Sequence, residues 1–228
     1  MAKKRITRKE LLKKDDEFIS LSNRVAQYVS AHAKQIQYII VIIMILVVIV
    51  IGVSLYFRHL NKKALAAYNL AYKMLVSDLS PETAQDNIKR SIAELDKLIK
   101  GYGRTKMATL AIPQLAYLKF GEGKYDEAIS LYQTYLKRDK SSSIYPSMAH
   151  FGLAAAYEAK GEYQSAISHL KKIVEDENNF LKEEAMFSLG RVYALGGQQE
   201  MSREIFKDFV NQFKESPLLP LAKANLKK

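Results

Sequence analysis

Residues 39–57 read IIVIIMILVVIVIGVSLYF, nineteen positions without a charge or a proline. No other stretch limits the fold so severely. As a helix it would reach about 28 Å, the hydrocarbon thickness of a bilayer. A soluble core helix keeps a polar stripe, and residues 39–51 have none. Tyr38, Tyr56 and Phe57 stand at the two ends, where interfacial aromatics belong. The run predicts a single transmembrane helix over residues 38–58. A cleaved leader fits less well. Ala64–Ala66 offers a small-x-small site, but Arg58, Lys62 and Lys63 intervene, and the run exceeds the leader core of about 7–15 residues.

Charge gives the expected orientation. Of the formal net charge of +11, residues 1–37 hold +5, from nine Lys/Arg against Glu10, Asp15, Asp16 and Glu17. A short basic flank stays inside, whereas a long domain crosses largely regardless of charge. The expected topology is a cytoplasmic N-terminal tail, one span, and a domain over residues 59–228 outside, which in a bacterium is the periplasmic face of the inner membrane; the weaker alternative is the reverse, with that domain in the cytoplasm. Basic excess beside an apolar run points to a membrane surface, and no basic–aromatic interleaving suggests nucleic acid. Within the tail, Phe18, Leu21, Val25, Val29, Ala33 and Ile36 recur at helical steps. They form either an amphipathic helix on the inner leaflet or on a partner, or a plain helical lead-in to the span; periodicity admits both.

Beyond the span a pattern repeats. Gly123, Gly161 and Gly197 lie 38 and 36 positions apart. Seven residues before each stands a small residue after a leucine: Ala116, Ala154, Gly190. Four before stand Lys119, Tyr157 and Tyr193; two after stand Tyr125, Tyr163 and Gln199. Five after stand Ala128, Ala166 and Ser202, and nine after stand Tyr132, Leu170 and Phe206. Fixed spacing of this kind is the mark of a repeat architecture. Glycine allows the turn between two antiparallel helices, small residues mark where the helices cross closest, and large aromatics fill the flanks. One hairpin cannot bury its apolar face alone, so neighbours stack.

These residues resemble the tetratricopeptide repeat, most fully in Leu153-Ala154, Tyr157, Gly161, Tyr163, Ala166 and Leu170. The first unit departs at Lys119 and the third at Gln199; the early Trp and late Pro are missing, and 138–146 reads as a lengthened connection. The resemblance implies an all-α fold, a right-handed superhelix of stacked hairpins. Hairpins are expected at about 61–102, 104–138, 145–176 and 181–214, with a capping helix at 218–228. Ser80-Pro81-Glu82 supplies a helix start, and Gly101 and Gly103 a helix end.

Few residues suggest chemistry. There is no cysteine, hence no disulfide or thiolate metal site. His32, His59, His150 and His169 are scattered, and Glu175–Asn178 reads as a solvated acidic loop. The chain is expected to be no enzyme and to hold no cofactor or metal. In the resembled family, residues one and four positions after the small one face the concave side. Here they are Tyr117 and Phe120, Ala155 and Glu158, Arg191 and Ala194, with Phe151 and Phe187 either joining them or packing as core. The candidate peptide groove is thus Tyr117, Phe120, Phe151, Glu158, Phe187 and Arg191. Such side chains suit extended or helical peptides.

The order of parts is also similar to a narrower family, the bacterial single-span ancillary subunit of the Sec translocon. The likeness includes KKALAAYNLAYKML just after the span and LLPLAKANL near the end. It implies partners among exported polypeptides and translocon subunits, and a chaperone role. A scaffold for an envelope complex is the alternative. Oligomeric state stays open, since Tyr56 occupies the position that would complete a GxxxG from Gly52.

Overall fold

The computed structural model describes residues 23–24, 27–76, 81–139 and 144–227. Every regular element among them is a helix. Phe18, Leu21 and Val25 of the N-terminal stripe, Ser80, and residues 140–143 of the lengthened connection lie outside the described residues. The chain divides into two units, Met1–Arg58 and His59–Lys228. The boundary falls within the first long helix, α1 (Ala33–Val76).

In the first unit, the apolar residues 39–51 are exposed on every side of the helix. None of the most apolar window is buried, and the helix is long and apolar enough to cross a membrane. In water that surface would be unfavourable by about 25 cal/mol per Å², so it requires an apolar solvent or a partner.

The second unit is a chain of helices in which, from α2 (Pro81–Gly101) onward, each packs on the next in sequence. After the last part of α1 come α2, α3 (Lys106–Gly121), α4 (Tyr125–Arg138) and α5 (Tyr145–Ala159). The remaining elements are α6 (Tyr163–Val174), α7 (Lys182–Leu195), α8 (Gln199–Gln212) and the short α9 (Leu219–Asn225). Nearest-neighbour packing of this kind is that of a solenoid.

The recurring residues have separate physical roles. Gly123, Gly161 and Gly197 take φ of +76°, +75° and +77°. Each stands just past the end of the first helix of its hairpin. The Gly123 amide donates to the Phe120 carbonyl at 2.9 Å and the Lys124 amide to the Lys119 carbonyl at 3.0 Å. The same pair of bonds recurs around Gly161 and Gly197. This is the Schellman ending, which satisfies the last carbonyls and needs a left-handed residue. Ala116, Ala154, Gly190, Ala128, Ala166 and Ser202 are all buried, as are Tyr132, Leu170 and Phe206. Gly190 shows why the small residue is required: a Cβ there would stand 2.9 Å from the Phe206 ring. Lys119, at a position that is tyrosine in the other two repeats, is held by Glu127 at 2.9 Å across the hairpin.

Buried clusters run from one hairpin to the next without a gap. Ala71 of α1 packs with Leu95 and Leu98 of α2 and Ala111 and Leu115 of α3. The start of α3 is fixed by its own cap, the Thr105 hydroxyl accepting from the Ala108 amide at 3.1 Å. Asn61 of α1 accepts from the Lys106 amide at 3.1 Å. At the far end, Phe206, Phe209 and Ala222 close the core beneath α9.

Candidate functional site: an aromatic cavity on the first helices

Two of the first helices present the same positions to one cavity. Counted from the small residue, α3 offers Leu110, Pro113 and Gln114 at minus six, minus three and minus two. The same three offsets on α5 are Met148, Phe151 and Gly152. Spacing of three and four puts each set on one helical face. Tyr68 of α1, Tyr117 of α3, Tyr132 of α4, Tyr145 of α5 and Leu181 complete the wall. The enclosed volume is about 450 Å³, enough for one or two large side chains of a bound segment.

Among the described residues, the lining contains no charged side chain. Its ionisable groups are phenols. Burial pushes the Tyr132 hydroxyl up to about 12, with Tyr117 adding to the effect. Burial also raises Tyr68, helped by Tyr72 and Tyr145. The cavity is therefore an apolar slot with hydroxyls that can donate to a backbone carbonyl. Its rim is open: Tyr117 is 64% exposed, Met148 48% and Tyr145 43%. A methionine at the rim adapts to differently shaped occupants.

Gly152 shapes the floor. A Cβ there would lie 2.4 Å from Cζ and 2.6 Å from Oη of Tyr132. Only glycine lets the α4 tyrosine reach across to α5.

The candidates drawn from sequence separate into three groups. Tyr117 and Phe151 line the cavity together. Glu158 and Arg191 bond to each other between α5 and α7, with Arg191 Nη2 donating to Glu158 Oε2 at 2.9 Å and Nη1 to Oε1. Phe120 and Phe187 are half-buried in packing. Phe120 lies 5.4 Å from the Tyr125 ring, and Phe187 meets Phe206 and Phe209 edge-on at 5.6 and 5.9 Å. Sequence reasoning missed Tyr68, Leu110, Pro113, Gln114, Tyr132, Tyr145, Met148, Gly152 and Leu181. The recurrence of the minus-six, minus-three and minus-two offsets was the available signal. Among the described residues, no cluster of three or more His, Asp or Glu could hold a metal ion.

Stacked helical hairpins around an uncharged aromatic slot define a protein–protein interaction module. The chain belongs to the tetratricopeptide repeat-like domain family, whose model matches residues 32–227. Solved structures with the same fold include the nearly identical TPR-like repeats of a Podosopora anserina putative kinesin light chain. That structure shares 17% identity with a TM-score of 0.58, over 73% of this chain and 84% of that one. A tetratricopeptide repeat protein from Parabacteroides merdae shares 14% identity with a TM-score of 0.60; the match covers 73% of this chain and 59% of that one. YrrB, described as a TPR protein with an unusual peptide-binding site, shares 18% identity with a TM-score of 0.53, over 75% and 79% of the two chains. No curated protein matches the chain.

Proposed function

We propose that this chain is a membrane-anchored binding protein, not an enzyme, that holds uncharged apolar stretches of other polypeptides in the cavity between α3 and α5. The observation that carries the reading is the wall itself: tyrosines, Phe151, Met148 and Pro113 around about 450 Å³, with no charge. Such a groove takes apolar and aromatic anchors in preference to charged ones. An unfolded segment brings the apolar and aromatic side chains this one accepts. Together with the uncharged run at 39–57 and the basic flank before it, this favours a position on the outer face of a bacterial inner membrane. There the protein would attend newly exported chains beside the translocon.

Site-specific photocrosslinking tests it. The full chain, carrying a crosslinker at Met148 or Tyr117 in cells, is expected to capture many exported proteins through apolar segments, together with translocon subunits. Phe151→Ser should reduce capture several-fold, whereas Arg191→Ala should leave it unchanged. Recovery of one stoichiometric native complex would instead establish the envelope-scaffold alternative. Capture that survives Phe151→Ser would remove the cavity from the function.

A further inference from the structure

Two histidines that sequence reasoning left scattered meet across a hairpin. His150 of α5 and His169 of α6 place their Nδ1 atoms 2.9 Å apart. The His169 ring also lies face to face with Tyr157 of α5, centroids 5.7 Å apart and planes within 7°. The Tyr157 hydroxyl in turn accepts from Gln133 of α4 at 3.0 Å. The pair is half-buried and lies at an open cavity of about 470 Å³, so protons reach it freely.

The contact has a proton requirement. A neutral imidazole carries one N–H and one bare nitrogen. Two Nδ1 atoms at hydrogen-bond distance therefore need one ring to donate and the other to accept. A first added proton leaves that arrangement intact, as a charged donor on a neutral acceptor. A second proton puts N–H on both Nδ1 atoms, and the bond becomes a repulsion between two cations.

We propose that the His150–His169 contact is an acid-released pin that fastens α5 to α6 while at most one of the two rings is charged. The surroundings favour release at low pH. From α4 the cavity receives Gln133 and Lys137, and from its C-terminal end Asp139, which accepts from the Tyr135 hydroxyl; from α6 it receives Lys172. Among the described residues, none of the cavity's lining comes from α7. Burial lowers both histidines: His150 falls to about 4, with His169 and Lys172 adding their charge, and His169 falls through burial and Lys172. Both folded values lie below the unfolded value of about 6.5, so the opened state binds more protons and acid favours it. Stability is full above about pH 6.5 and is lost as the pH falls toward 4. Lys137 and Lys172 at the same cavity disfavour a divalent cation on the pair, which leaves the proton as the ligand. Release matters beyond the hairpin, because the same α5 bears Tyr145, Met148, Phe151 and Gly152 of the aromatic cavity. The pin itself does not depend on what that cavity binds.

Hydrogen exchange on the full chain in detergent, corrected for intrinsic rates, provides the test. Between pH 6.5 and 4.2, opening of α5–α6 is expected to rise about tenfold or more over that of α7–α8, since each titrating ring contributes up to about tenfold per pH unit. His150→Asn combined with His169→Gln should abolish the excess. Histidine nitrogen NMR of the unmodified chain gives a check independent of the variants. It should show one Nδ1 protonated and one bare at pH 7, and both protonated in acid. Equal acid sensitivity of the two hairpins, or two rings titrating independently near 6.5, would overturn the proposal.

Discussion

Gly152→Ala isolates the contact that shapes the cavity floor. The new methyl would stand 2.4 Å from Cζ, 2.6 Å from Oη and 2.7 Å from Cε2 of Tyr132. Comfortable carbon contacts begin at about 3.5 Å, so the ring must retreat by roughly 1 Å. Tyr132 is only 6% exposed and packs in the cluster of Ile112, Ala128 and Leu153, so retreat is obstructed on most sides. Overpacking of this kind costs about 1–3 kcal/mol. Replacing glycine by alanine within a helix returns about 1 kcal/mol. The expected net loss is about 1 kcal/mol, or about 2–4 °C in melting temperature for a domain of this size. Circular dichroism melts of the full chain in detergent give the readout, with Gly121→Ala as the control. A Cβ at Gly121 meets nothing within 4 Å, and that variant should melt at or above the parent. In a Tyr132→Leu background the alanine should cost nothing, a coupling that a double-mutant cycle measures. A Gly152→Ala protein melting at or above the Gly121→Ala protein would refute the close approach between α4 and α5.

Gly161→Ala forces an alanine to φ near +75° and should cost about 1–2 kcal/mol, seen as a lower melting temperature without loss of helix at about 20 °C. Phe206→Ala empties the centre of the last cluster and should cost about 3–5 kcal/mol, with hydrogen exchange rising first in α7 and α8. Arg191→Ala breaks an ion pair whose arginine is 45% exposed, so denaturant midpoints should move by less than about 1 kcal/mol. Alkaline carbonate washing should leave the full chain in the membrane pellet and release a variant lacking 39–57; release of the full chain would contradict the span.

Most of the fold was legible because a solenoid buries its core between neighbours in sequence. Local spacing therefore carries tertiary meaning. Gly123, Gly161 and Gly197 announce three helix ends, since only glycine takes the left-handed turn without strain. The alternation of small and large residues around them announces the crossings. The cavity was less legible. Tyr117 and Phe151 were within reach of family-based reasoning, but Phe187 shares Phe151's offset and is packed against Phe206 and Phe209. Offset alone does not say whether a neighbour's aromatic ring already fills the space.

By itself the sequence determined that residues 39–57 are long and apolar enough to cross a membrane and that the segment C-terminal to them is a stack of helical hairpins. Both conclusions rest on composition and short-range period, which act within a turn or two of the chain. Only the tertiary structure decided which inner residues enclose space. That depends on how far Tyr132 reaches into the glycine gap at Gly152, and on side chains such as His150 and His169, nineteen residues apart, arriving at one point. Such meetings are set by the angle and depth of helix packing, which no local pattern of residues records.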